Sequence, residues 1–434
     1  MNTATKKWIK LGGALLVAAL LMVGSFLAGM VFYAANSSPA QAASLSAALP
    51  FLGATGAFTQ TAPAGEDGDL PPSLDTFWEA WEYLNKNFYG DIPSNQDRMY
   101  GAIRGMVNSF GDQHTAFIDP VRAAIASENI QGSFSGIGAT VRMDEAGRLE
   151  IVDPMPDSPA LKAGLRPGDI VIKVDDQPLD GMNLFEAVLL IRGPTGSTVV
   201  LTVFREGELE PFDVSIVRDT IELEVVESEL IDAPGGGKIG YVRLTQFSGG
   251  AADKVTAAIG DLVKQGATSM IFDLRSNPGG LLSEAVNVSS VFVKPGETIV
   301  RERLKGGDER VFEAKRNFQA AVDMPLVVLI NQGSASASEI VAGAIQDLSR
   351  GTIMGKQSFG KGSVQLPHTL SDGSELRVTI AEWLTPNGRQ IHGEGISPDV
   401  EAEMSFEDLQ QQRDPQREAA VEFLNKTTQE EKSE

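Results

Sequence analysis

Between residues 238 and 354 short apolar runs alternate with segments of helical period, and this alternation restricts the fold more than any other feature of the chain. The runs at 238–244, 269–274, 325–331 and 351–354 are short and rich in Ile, Val, Leu, Phe and Met, which marks them as buried strands. Between them, 251–264 (stopped by Gly266), 281–293 and 335–348 repeat apolar residues at spacings of three and four, which marks helices. Strand–helix–strand order implies parallel strands joined by crossover helices, with reactive groups gathered at the carboxyl ends of the strands. Two turns fall at such ends: Arg275-Ser-Asn-Pro-Gly-Gly280 and Gly333-Ser-Ala-Ser-Ala-Ser-Glu339. The second opens a helix. Unpaired amides and the helix dipole there favour an anion developing on a substrate oxygen, so a serine hydroxyl in that turn is a candidate nucleophile. Helix capping is the competing role for the same hydroxyls. Spacing alone does not separate Ser334, Ser336 and Ser338.

A serine nucleophile needs a base. The three histidines, His114, His368 and His392, all lie outside the glycine-rich stretch that follows the strand at 351–354, whereas Lys356 and Lys361 lie within it. A lysine serves as base once burial depresses its pKa, because desolvation disfavours the ammonium form. A solvated loop lysine is the alternative, and spacing does not choose between the two. The chain has no cysteine, which excludes thiol nucleophiles, disulfides and cysteine metal sites. It also lacks His-Glu-x-x-His, so no metal and no other cofactor is expected. Thirty-six basic against 58 acidic residues give a net charge of −22, which opposes binding to nucleic acid.

Lys6, Lys7 and Lys10 precede an uncharged apolar run at 11–35, long enough to span a bilayer. The expectation is a cytoplasmic stub and single-pass transmembrane anchor over 1–35, with the rest of the chain extracytoplasmic. Ala40-Gln41-Ala42 also resembles a signal-peptidase site, and cleavage there would give a secreted protein instead. Residues 36–69 read as a flexible linker. In the N-terminal helical region, 70–128, two stripes repeat at helical spacing: Phe77, Trp81, Leu84 and Phe88, then Met99, Ile103, Met106, Val107 and Phe110. They suit packing on each other, on the body, or on a second copy in a homo-oligomer. The polar, acidic tail at 401–434 contains a helix starting at Asp414-Pro415, with Ala420, Phe423 and Leu424 available for packing on the body or a partner.

Residues 129–218 form a compact, mostly β module. Alternating runs at 139–141, 149–152, 170–174, 199–204 and 212–216 surround helical pieces at 159–163 and 184–192, and a further strand is expected at 220–228. Ser135-Gly-Ile-Gly-Ala139, then Ser158-Pro-Ala160, Ala163-Gly-Leu165, Gly168-Asp169 and the helix at Leu184 resemble a PDZ domain in type and order. The resemblance makes Gly136, Ile137 and Gly138 the loop that binds a peptide C-terminus. Consecutive backbone amides hold a terminal carboxylate while the peptide adds as a strand. Protein or peptide substrates with free apolar C-termini are the partners this implies.

From about residue 70 to 400 the chain resembles the carboxyl-terminal processing peptidases, or tail-specific proteases. The matching pieces are Gly111-Asp-x-His-Thr115, the PDZ-like module, Asp273-Leu-Arg-x-Asn-Pro-Gly-Gly280, Gly333-x-Ala-Ser-Ala-Ser-Glu339, Phe359-Gly-Lys-Gly-x-Val-Gln365, and Thr385-Pro-Asn-Gly-Arg389 running to Gly395-Ile-x-Pro-Asp399. The resemblance implies a multidomain α/β plus β fold. In it a crotonase-like βα catalytic core at 219–400 carries an inserted PDZ-like domain, N-terminal helices and a transmembrane anchor. It also implies an extracytoplasmic serine endopeptidase with a Ser/Lys dyad. Ser336 would be the nucleophile, Lys361 the base and Gln365 the residue that orients the lysine, with the amides of Gly280 and Ala337 as the oxyanion hole. Glu339 and Asp347 are expected to be helix-surface charges or lysine partners. A catalytically silent peptide-binding scaffold of the same fold is the alternative. A crotonase-like acyl-transferring enzyme ranks behind both, since it would need neither the PDZ-like module nor the tether.

Overall fold

The computed structural model describes residues 74–234, 236–318 and 320–431. The apolar run at 11–35, the motif at Ala42 and the linker at 36–69 lie outside these residues. No described helix is long and apolar enough to cross a membrane, and the anchor expected over 1–35 lies outside the described residues. The chain divides into two units, 1–92 and 93–434. The described part of the first holds the helix Asp75–Asn87, where Phe77, Trp78 and Trp81 bring their ring centroids to 5.2–6.2 Å of one another.

In the second unit the alternating segments form a six-stranded sheet in the order Val226–Asp232, Lys238–Leu244, Ser269–Asp273, Leu326–Ile330, Thr352–Gly355, Val400–Glu401. All neighbours are parallel except the antiparallel edge strand Val226–Asp232. Every residue of Ser269–Asp273 and Leu326–Ile330 is buried, as expected for central parallel strands covered on both faces. Alternate residues face opposite ways. Val242, Met270, Phe272, Val328 and Ile330 pack beneath the helices Ala251–Lys264, Leu282–Phe292 and Ala337–Asp347. Ile239, Tyr241, Ile271, Val327 and Leu329 pack against Ala420 and Leu424 of the C-terminal helix Pro415–Glu431. The acidic tail is therefore part of the body: it supplies the second helical layer, and burial of Leu424 alone contributes about 1.5–3 kcal/mol.

A second sheet has the order Ala116–Ile118, Glu375–Leu384, Thr298–Leu304, Glu309–Glu313, with Ser363–Thr369 also paired to Glu375–Leu384. Two of its pairings are hairpins, but the two that assemble the sheet join segments distant in sequence, Ala116 opposite Arg377 and Arg301 opposite Leu384, and local pattern did not announce them.

The PDZ-like module folds around its own core, which includes Leu149, Ile151, Val171, Val199, Leu201 and Ile216. Its strands run Ala139–Met143, Leu149–Pro154, Ile170–Val174, Thr198–Phe204, Phe212–Val217, and Gln177–Pro178 pairs with Ile170–Val174. The helix Leu184–Ile191 begins in a capping box made by Asn183 and Glu186. The single strand expected at 220–228 is two strands. Asp219–Glu222 pairs with Ser133–Gly136, and the chain then changes partner, so that Val226–Asp232 joins the main sheet. The break comes where the Leu223 N–H donates to the Gly132 carbonyl at 2.9 Å and the Leu223 carbonyl accepts from Lys254 Nζ at 2.8 Å.

Candidate active site

The two glycine- and serine-rich turns meet at the carboxyl edge of the main sheet. After Leu326–Ile330, Asn331 makes a tight turn in which its side-chain oxygen accepts from the amides of Gly333 (2.9 Å) and Ser276 (2.8 Å). The amide of Ala335 then donates to the carbonyl of Asn277 at 3.0 Å. Asn277 is fully buried; its side chain donates to the Leu244 carbonyl (2.7 Å) and accepts from the Gly279 amide (2.9 Å). Arg275 fixes the same turn from below, bonded to Asp273 at 2.6–3.0 Å and to Asp414, at the start of the C-terminal helix, at 2.7–2.8 Å. One layer of the fold thereby braces a turn built on another.

The three serines of the turn differ in what their hydroxyls do. Ser334 Oγ donates to the Leu274 carbonyl at 2.8 Å, and Ser338 Oγ donates to the Asn277 carbonyl at 2.9 Å; both side chains are buried. Ser336 Oγ donates to no acceptor among the described residues; it only faces the Glu339 amide in a loose capping box, and the residue is half-buried. Ser336 immediately precedes the helix Ala337–Asp347, with φ +56° and ψ −113°. Non-glycine residues rarely adopt such a backbone, and holding one there costs on the order of 1–3 kcal/mol. Gly279 allows the two turns to touch: a methyl group on it would stand 2.7 Å from the Ala335 carbonyl oxygen and 2.9 Å from both Ser336 Cβ and the Ala337 nitrogen. The amides of Gly280 and Ala337 have no acceptor among the described residues.

The two candidate lysines part in the same way. Lys356 Nζ pairs with Glu403, and that carboxylate raises its pKa. Lys361 is half-buried, and its Nζ makes no hydrogen bond or ion pair among the described residues. Burial, and secondly the charge of Arg377, hold its pKa below the ordinary lysine value, while Glu339 pulls it the other way. The segment carrying Lys361 crosses over the serine turn, where the Phe359 amide donates to the Ser334 carbonyl at 3.0 Å. Gly362 fits only without a side chain, since a methyl group there would lie 2.1 Å from the His392 nitrogen.

Glu339 is no surface charge. It is fully buried, and its carboxylate accepts from the Ser336 amide (2.8 Å), the Lys361 amide (2.8 Å), the Gly360 amide (2.6 Å) and Ser358 Oγ (2.6 Å). Asp347 is likewise buried in its side chain and pairs with Arg389. Gln365 does not meet Lys361: its amide nitrogen donates to Ser363 Oγ at 2.8 Å and to Thr379 Oγ1 at 3.4 Å. The motif at 111–115 enters from the second sheet. Asp112 accepts from the His114 and Thr115 amides, and Thr115 Oγ1 accepts from the Thr379 amide at 3.1 Å. His114 lies near Lys361, whose charge adds to burial in lowering the histidine pKa, and its ring centroid is 5.7 Å from that of His392. Spacing gave no hint of this, because His114 precedes Lys361 by most of the chain; the motif around it was the available signal.

In the PDZ-like module, Gly136 ends the strand Ser133–Gly136, Ile137 is buried in the module core, and Gly138 turns at φ +72°. The carbonyls of Ile137 and Gly138 are taken by the amides of Ala160 (2.8 Å) and Met155 (3.0 Å), while their own amides have no acceptor among the described residues. The strand that follows, Ala139–Met143, lies at an edge of its sheet.

Residues 238–402 match peptidase family S41, and residues 150–205 match the PDZ domain. The carboxy-terminal processing protease CtpA of Bacillus subtilis is 41% identical over 332 residues, 76% of this chain and 69% of the relative. This chain belongs to peptidase family S41. It is a serine-type peptidase carrying a PDZ domain, and the carboxyl-terminal processing proteases are its relatives. The carboxyl-terminal-processing protease of Synechocystis is 37% identical over 79% of this chain and 81% of its own length. Among solved structures, a photosystem II D1 C-terminal processing protease is 32% identical, covering 75% of this chain and 87% of that one, with a TM-score of 0.45. The S41 match spans both turns and the Lys361 segment.

Proposed function

We propose that this S41 peptidase is an endopeptidase working through a Ser336/Lys361 dyad, with its substrates chosen by their C-terminal tails. One observation carries the reading. Among the candidate serines only Ser336 donates its hydroxyl to no acceptor of the described residues, of the two lysines only Lys361 has an unpaired Nζ, and their backbones hang from a single carboxylate.

In this mechanism neutral Lys361 Nζ takes the proton of Ser336 Oγ as that oxygen bonds to the substrate carbonyl carbon. Charge moves to the carbonyl oxygen, which the amides of Gly280 and Ala337 receive at the positive end of the helix. Lys361 passes its proton to the departing amine as the peptide C–N bond breaks, leaving an ester on Ser336. Water, deprotonated by the regenerated neutral lysine, then attacks the ester and frees the enzyme.

The amides of Ile137 and Gly138 would bind the terminal carboxylate of the substrate, and its apolar tail would add along the edge strand Ala139–Met143. The sequence at 6–35 supports a membrane-anchored, extracytoplasmic setting, with release after Ala42 as the other route. The test is cleavage of an unfolded protein with an apolar C-terminus: Ser336→Ala and Lys361→Ala should each abolish turnover. Retained activity in either variant would end the dyad reading.

A further inference from the structure

We infer that Glu339 is a positioning residue that holds the nucleophile and its base as one rigid pair, an inference that rests on the dyad reading above. Oε2 accepts from the amides of both Ser336 and Lys361, at 2.8 Å each, while Oε1 accepts from Gly360 N and Ser358 Oγ, at 2.6 Å each. Residues 336 and 361 come from different segments of the chain, one from the helix start on the main sheet and one from the loop entering the second sheet. Few contacts could fix their separation as directly as a shared acceptor atom.

A carboxylate is required for this geometry, and a helix cap by itself would not require one. Two oxygens offer about four acceptor directions, and four donors occupy them here. A glutamine would turn its NH₂ toward two of those donors and leave them buried without an acceptor. Among the described residues no cation lies within ion-pair distance of Glu339, so a buried negative charge is held by N–H and O–H groups alone. Burying a charge in this way is costly. Ser358 serves the same structure: its Oγ donates to Glu339 and accepts from the Ile396 amide at 2.7 Å, joining the lysine segment to the loop at 396.

The carboxylate also acts on Lys361 electrostatically. The charged groups facing this lysine are Arg377 from the second sheet and Glu339 from the helix; the titratable rings near it are His114 from the motif at 111–115 and, beside that histidine, His392. Removing the Glu339 charge leaves Arg377 unopposed, which favours the neutral amine at lower pH. Glu339→Gln should therefore do two things in the full-length protein. It should lower kcat roughly 100-fold with KM nearly unchanged, as a misplacement of about 1 Å does. It should also move the acid limb of the kcat/KM profile to lower pH. Glu339→Asp, which keeps the charge but shortens the reach, should lower kcat and leave the limb in place.

A Gln variant with undiminished kcat, or with a lowered kcat and an unmoved limb, would reduce Glu339 to a structural residue. Wild-type protein supplies a measurement independent of folding in the variants. The amide hydrogens of residues 360 and 361, although in a loop, should exchange slowly with solvent, and fast exchange would overturn the inference. Activity surviving in Ser336→Ala or Lys361→Ala would instead overturn the dyad. Inactive dyad variants alongside a fully active Glu339→Gln would overturn only the role of Glu339.

Discussion

Substituting Gly280 by alanine tests the oxyanion arrangement without touching a titratable group. The residue lies at φ +152°, where side chains are rarely tolerated, and an added Cβ would stand 2.2 Å from the Phe247 carbonyl oxygen and 2.7 Å from its carbon. Carbon and oxygen in contact sit about 3.3 Å apart, so roughly 1 Å of movement is demanded. Phe247 cannot supply it. Its ring is fully buried, its amide donates to the Gly279 carbonyl at 2.9 Å, and its carbonyl accepts from the Leu281 amide at 2.8 Å. The turn must therefore move, and with it the Gly280 amide. Loss of one oxyanion donor costs about 10²- to 10³-fold in kcat, or about 2.7–4 kcal/mol of transition-state stabilisation. Because the donor acts on charge that develops only in the transition state, KM should change little. The assay is kcat and KM on the unfolded substrate, with a thermal melt to show that the variant is folded. Gly296→Ala is the control: its φ is +84°, nothing lies within 4 Å of an added methyl group, and it sits in a turn outside the site. It should lose about 1–2 kcal/mol of stability and keep its kcat. A folded Gly280→Ala enzyme with kcat within about threefold of wild type would refute the assignment.

Two further expectations concern the base and the C-terminal layer. Activity should rise with pH through the Lys361 pKa, because only the neutral amine accepts a proton, and the limb should lie below the ordinary lysine value. Arg377→Gln removes one cause of that depression, so the pKa should rise and the limb move to higher pH; an unmoved limb would show that Arg377 does not act on Lys361. Leu424→Ala, at a site 2% exposed beneath the main sheet, should destabilise the protein by about 2–5 kcal/mol in a denaturant titration. Specific activity of the folded fraction should be preserved, and an unchanged midpoint would mean that the helix Pro415–Glu431 does not hold the sheet.

The main sheet was legible because its strands are short, continuous apolar runs and its helices repeat at three and four. Val327, Val328 and Leu329 must be buried whatever lies around them, and a periodic helix must cover them. The PDZ-like strands were legible through alternation and turn residues. The second sheet was not, because Ala116 and Arg377 carry no local mark of each other and loop closure over such distances is invisible to period. The break at 223–225 escaped for a related reason: a strand that changes partners keeps a strand-like pattern on both sides.

At the site, residue types and their order narrowed the choice to three serines and two lysines. Family resemblance then selected one of each. What the amino-acid order could not express is which hydroxyl donates to nothing and which amine stays unpaired, since that depends on carbonyls and carboxylates supplied by other segments: Leu274 for Ser334, Asn277 for Ser338, Glu403 for Lys356. Glu339 marks the boundary most clearly. In sequence it is a charge near the start of a helix, indistinguishable from a solvated one. Only tertiary structure buries it and surrounds it with four donors, because three of those donors belong to the segment 358–361 and reach the carboxylate through the fold. Local period sets the elements of the main sheet and the PDZ-like module; long-range hydrogen bonding decides which groups stay free to react.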